Sequence, residues 1–285
     1  MSYPVEYHRL RRGRRALTLE LWPNHKAGTV LFYPGTMFSP IQYRLLLSAL
    51  RQNGLAVAAL HLTGHGYNPH RASFCFADLL ADGLEAEEWL WQHGHKKLAV
   101  CGHSQGGILT LAHAGASSRL RAAFAFTGIL PQQVEAIQLT RFKNFRDRAS
   151  LQGYLDRLAH VFPHFPVPAP AYLSVRRICQ NARQLCCNRR KGRVFYPLSF
   201  LASLFSAQVS PLLRCPLYLF NAVDDALFTP ALARTTFSLL QAPAKRLIWL
   251  PGGGHLAVFD PHLSLLAASH VAVACAGLGI PLQIR

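Results

Sequence analysis

Apolar residues in this chain fall into short unbroken runs separated by longer stretches with helical spacing. The run 29–33 ends at Pro34-Gly35, and a helical pattern over 41–51 follows it and stops at Asn53-Gly54. Together they predict a strand and its crossover. The unit then recurs: a strand at 55–60, a helix at 78–93 closed by Gly94, a strand at 98–101, a helix at 105–115 and a strand at 121–127. Strands alternating with helices at this spacing predict a mostly parallel central sheet with helices on both faces, an α/β fold.

The rhythm fails between residues 129 and 213, a stretch holding Pro163, Pro166, Pro168, Pro170, Pro197 and Pro211. Short helical patterns at 133–160 and 171–187 make it read as an inserted, mainly helical cap. Alternation resumes afterwards, with strands at 217–220 and 246–250 and helices at 231–240 and 262–276. The expected organisation is therefore a core of 1–128 and 214–285 interrupted by a cap at 129–213. Residues 261–284 carry no formal charge, but Pro261, His262, His270, Gly277, Gly279 and Pro281 interrupt them. A buried terminal helix is expected there in preference to a membrane span.

Composition agrees with one globular core plus an insertion: of 285 residues, 51% are hydrophobic and 15% charged. The formal net charge of +17 raises anionic partners. The basic residues are scattered, however, and the densest groups (Arg9, Arg11, Arg12, Arg14, Arg15; Arg189, Arg190, Lys191, Arg193) match no nucleic-acid motif. No nucleic-acid partner is expected. A solvated basic surface is, with peripheral contact to anionic lipid headgroups as the alternative use. Seven cysteines without metal-ligand spacing read as reduced thiols, and Cys186-Cys187 as packed or exposed thiols. The N-terminus has no apolar leader pattern, which favours a cytoplasmic protein. The sequence leaves the oligomeric state open.

Chemistry enters at Gly102-His103-Ser104-Gln105-Gly106, which lies between an apolar run and a helical pattern. This is the G-x-S-x-G nucleophile elbow in the context the motif requires. A sharp strand-to-helix turn holds the Ser104 hydroxyl at the carboxyl end of the sheet, near a helix N-terminus that favours a developing oxyanion.

On these residues the chain resembles the α/β-hydrolase fold superfamily, in particular its monoglyceride lipase, lysophospholipase and serine-aminopeptidase-like branch, over about 29–128 and 214–275. The resemblance implies a triad in the order Ser, acid, His. Asp224-Asp225 follows the predicted strand at 217–220, and Asp225-Ala-Leu-Phe-Thr-Pro230 is similar to the family's D-x-x-x-x-P loop. Asp225 is the favoured acid and Asp224 the alternative. Pro251-Gly252-Gly253-Gly254-His255 is similar to the family's glycine-His turn, which makes His255 the expected base. Oxyanion donors are expected from the backbone N–H of Gln105 and from that of Thr36 or Met37 in the loop Pro34-Gly35-Thr36-Met37-Phe38. The family usually carries His-Gly where Pro34-Gly35 stands, so what anchors this loop is not given by the motif. His61-Leu-Thr-Gly-His65-Gly resembles the family's D-x-R-G-H-G loop and reads as support near the site.

The function implied is hydrolysis of a small-molecule carboxylic ester through an acyl-enzyme. Acyl transfer, or hydrolysis of a thioester, amide or peptide, would run on the same residues. A non-catalytic binding protein of this fold is the alternative of another class. No zinc-ligand, P-loop or dinucleotide motif accompanies the triad, so no cofactor or metal is expected. Phe162, Phe165, Tyr172, Phe195, Phe200 and Phe205 in the cap suit an apolar acyl group or simply pack it.

Overall fold

A computed structural model describes residues 3–12, 15–141, 147–178 and 192–283. The basic group Arg189, Arg190 and Lys191 and the thiols Cys179, Cys186 and Cys187 lie outside the described residues. In chain order the elements are β1 (Glu6–Arg12), β2 (Arg15–Trp22), β3 (Thr29–Tyr33), α1 (Arg44–Gln52), β4 (Ala56–Leu60), α2 (Phe76–Gln92), β5 (Leu98–His103), α3 (Gln105–Ala116) and β6 (Leu120–Phe126). There follow α4 (Arg148–Val161), β7 (Pro166–Pro168), α5 (Ala169–Tyr172), α6 (Val175–Ile178), β8 (Phe195–Pro197) and α7 (Leu198–Ser206). Then come β9 (Leu217–Ala222), α8 (Pro230–Leu239), β10 (Lys245–Leu250) and α9 (Pro261–Gly277).

Eight strands form one sheet in the order β1-β2-β4-β3-β5-β6-β9-β10. From β4 to β10 every pairing is parallel, while β1 and β2 pair antiparallel with each other and β2 antiparallel with β4. Every residue of β3, β4 and β5 is buried, so helices must cover both faces of the sheet. Helices α1 and α9 pack against each other, as do α2 and α3. Local chemistry sets the helix starts: the Asp260 carboxylate accepts from the N–H of His262 and Leu263, with Pro261 following as the first helical residue. Helix α9 is half buried: Ala267, Ala268 and Val271 face the core, and Leu265, Leu266 and Val273 are exposed.

The β1–β2 pair is absent from the sequence expectation. Five arginines between residues 9 and 15 read as a solvated run, yet Leu10, Leu17, Leu19 and Leu21 between and after them are buried in the core. Glu20 also breaks the apolar pattern of β2; it is buried because Arg44 Nη1 and His61 Nε2 reach it at 2.7 and 2.8 Å.

Between β6 and β9 no element among the described residues joins the main sheet. Helices α4 and α7 pack on each other, and the expected helical character is joined by a two-stranded ribbon of β7 and β8. Proline is tolerated in that ribbon because each strand has a free edge.

Candidate active site

Ser104, Asp225, His255 and Thr36 follow β5, β9, β10 and β3, at the carboxyl end of the parallel strands, where ligands bind in open α/β sheets. Ser104 adopts φ 57° and ψ −117° between β5 and α3. The turn is so tight that neighbouring residues must lack a side chain. A Cβ on Gly106 would lie 2.2 Å from the Tyr33 carbonyl oxygen, and one on Gly102 would lie 2.2 Å from that of Gly106. The Ser104 amide is held by the Phe126 carbonyl at 2.9 Å, and a non-glycine residue at positive φ persists only under such constraint.

His255 Nε2 lies 2.9 Å from Ser104 Oγ, and its Nδ1 lies 3.0 Å from Asp225 Oδ2. The other carboxylate oxygen of Asp225 accepts the amides of Leu227 and Phe228, each at 2.8 Å. A buried carboxylate so held keeps a proton on Nδ1, which leaves Nε2 free to accept the serine proton. Asp224 points elsewhere and accepts the Gly254 amide at 2.9 Å, bracing the glycine turn that carries His255. The Phe228 ring packs on the imidazole with centroids 4.9 Å apart.

Gln105 opens α3, where the first amides of a helix have no intrahelical acceptor. Its side-chain oxygen accepts from Thr36 Oγ1 at 2.8 Å, which ties the elbow to the loop after β3. Of the two alternatives for the donor from that loop, Thr36 or Met37, the N–H of Met37 is donated to the Tyr196 hydroxyl at 2.7 Å. Thr36 is the remaining candidate.

The sequence did not reveal what anchors this loop. The Gly35 amide donates to the Tyr43 hydroxyl at 2.9 Å, Tyr43 in turn lies 2.8 Å from His103 Nδ1, and His103 Nε2 lies 2.8 Å from the His255 carbonyl. Burial, and then the neighbouring His255, lowers the His103 pKa to about 3, so this imidazole is neutral and donates from Nε2. One buried chain thus joins the loop to the backbone of His255. A second runs through Tyr196: His65 Nε2 lies 2.9 Å from its hydroxyl, and His65 Nδ1 lies 2.9 Å from the Thr63 carbonyl. The amide of Arg193 also donates to the Met37 carbonyl at 3.2 Å. His103 and His65 stood inside quoted motifs, but Tyr43 and Tyr196 carried no motif signal.

A cavity opens on Ser104 and His255, walled by Ile108, Ile137, Leu139, Tyr172, Leu204 and Phe228 among others. Its mouth is the site; its walls are shared by the core and the segment between β6 and β9.

Residues 24–262 match the family described as serine aminopeptidase, S33 (Hydrolase_4). A serine hydrolase-like protein of Dictyostelium discoideum is 25% identical over 127 residues, spanning 42% of this chain and 34%, about a third, of the length of that relative. Among solved structures, a soluble variant of Saccharomyces cerevisiae monoglyceride lipase in complex with a substrate analogue superposes with TM-score 0.75 at 13% identity, covering 97% of each chain. Mouse alpha/beta hydrolase domain-containing protein 10 does so with TM-score 0.69 at 14% identity, covering 96% of this chain and 99% of the mouse chain. At such identities the likeness is one of fold.

Proposed function

The chain belongs to the serine aminopeptidase, S33 family of α/β-hydrolase-fold proteins, and on that premise we propose that it is a serine hydrolase cleaving a carboxylic ester through an acyl-enzyme. The observation that carries this reading is the hydrogen-bonded series Ser104 Oγ, His255 Nε2, His255 Nδ1, Asp225 Oδ2, with steps of 2.9 and 3.0 Å. Ser104 is the nucleophile. His255 takes its proton during attack, and Asp225 fixes the tautomer and stabilises the imidazolium. The oxyanion is met by the amides of Gln105 and Thr36. The imidazolium then protonates the departing alcohol, and a water activated by the same base releases the acid.

Residues 129–213 act as the cap. With Phe205 and Leu204 in its wall, the cavity receives an apolar acyl group. Among the described residues the charged side chain in that wall is Arg148, which repels an ammonium; this favours an ester over a peptide with a free amino terminus. The cap exposes Val161, Phe162, Phe165 and Phe195, apolar side chains that would suit contact with a lipid surface.

A fluorophosphonate probe tests the reading directly. Labelling of the wild type and none of Ser104→Ala is expected. An unlabelled wild type would overturn the catalytic reading, and equal labelling of both would move the nucleophile to another residue.

A further inference from the structure

The cavity beside Ser104 is apolar over most of its wall, yet three buried polar atoms on its lining residues have no partner: Gln105 Nε2, the Tyr172 hydroxyl and Arg148 Nε. Gln105 and Tyr172 are each 2% exposed, so bulk water does not serve these groups. Buried polar atoms are ordinarily satisfied, and several unmet ones on residues that line one cavity point to what the cavity receives.

All three are donors. Thr36 Oγ1 already occupies Gln105 Oε1, so the NH2 of that amide is the group left without a partner. A guanidinium has no acceptor; each terminal nitrogen of Arg148 gives one N–H to a carbonyl, that of Gln132 or of Phe205, while Nε has no partner. Burial pushes the Tyr172 phenol well above its ordinary range, so the hydroxyl keeps its proton. A plain hydrocarbon would leave all of them unmet.

We propose that this cavity is a subsite for a substrate whose buried part carries oxygen acceptors, carbonyl or carboxylate, held by Gln105 Nε2, Tyr172 Oη and Arg148 Nε. The inference rests on the serine-hydrolase reading for its chemistry and goes beyond it in substrate class: an oxygen-bearing ester rather than a purely alkyl one. Tyr172 ends α5 and Arg148 begins α4, so two of the three selecting groups come from the segment between β6 and β9, while Gln105 and the reacting groups come from the core.

The test compares p-nitrophenyl octanoate with isomers in which one methylene at a time is replaced by a carbonyl, and, for oxygen in the leaving group, ethyl with hydroxyethyl octanoate. In the wild type at least one oxygenated ester should exceed its plain counterpart in kcat/KM by about tenfold, because a site built to bond oxygen discriminates strongly against an analogue lacking it. In Tyr172→Phe that ratio should fall towards one. Preference in the acyl series or in the alcohol pair tells which part of the substrate brings the oxygen. Calorimetric binding of the same esters to Ser104→Ala needs no chemistry. If it shows the preference while the wild type neither turns over esters nor takes the fluorophosphonate, the hydrolase reading falls and the subsite stands. If every plain ester binds and reacts as well as its oxygenated partners, the subsite is overturned.

Discussion

The Tyr196 hydroxyl accepts the amide hydrogen of Met37 at 2.7 Å across 159 residues of sequence. Met37 sits at φ 69°, a conformation that a bulky residue holds only when its surroundings insist on it. Tyr196 on β8 and the Arg193 amide grip both backbone polar groups of Met37, and the gripped residue follows Thr36. Tyr196→Phe removes one hydroxyl and little volume. Steady-state kinetics on p-nitrophenyl esters should show kcat reduced about tenfold with KM little changed, a fraction of the cost of deleting an oxyanion donor outright. An unchanged kcat would mean that the loop holds its shape without this bond.

Adjacent carboxylates have separate work. Asp225 bonds the imidazole and Asp224 bonds the turn that carries it. Asp225→Asn should lower kcat by about 10³–10⁴, since an amide does not fix the required tautomer. Asp224→Asn keeps an oxygen for the Gly254 amide and should lose far less. The reverse order would reassign the acid.

The parallel strands were legible because full burial on both faces writes them as unbroken apolar runs: 29–33, 98–101 and 217–220 lie inside β3, β5 and β9. The hairpin of β1 and β2 was not, because its exposed arginines masked the buried leucines. At the site, the sequence pointed to Ser104, Asp225 and His255, and these three side chains lie within hydrogen-bonding distance in the structure. What escaped were their supports. Tyr43 and His103 are 60 residues apart, and no local pattern marks a tyrosine whose purpose is to meet a loop from another strand.

Acid should destabilise the fold through these supports. Burial lowers the His65 pKa from 6.5 to about 4 and that of His103 to about 3. In the unfolded chain both titrate near 6.5. Below that pH the unfolded state takes up protons that the folded state refuses, so stability falls as pH drops from about 6.5 towards 4, and these groups add no slope above it. Thermal melts between pH 8 and pH 4 should show a plateau and then a decline. His65→Gln should make the decline shallower; an unaltered slope would remove His65 from the account.

One substitution should act with opposite sign at two positions. At Gly106, a methyl group would sit 2.2 Å from the Tyr33 carbonyl oxygen and 2.7 Å from that of Pro34. Neither side can yield: Tyr33 ends a central strand, and Gly106 lies in the first turn of α3 beneath the strained serine. Gly106→Ala should cost about 3 kcal/mol or prevent folding, as overpacking against backbone does. Gly153 lies inside α4 with nothing within 4 Å of where its Cβ would stand. There alanine only restricts the unfolded chain and favours the helix, so Gly153→Ala should stabilise by about 0.5–1 kcal/mol. Urea denaturation of the two variants reads both numbers, and a tolerated alanine at 106 would mean that the elbow is looser than its contacts require.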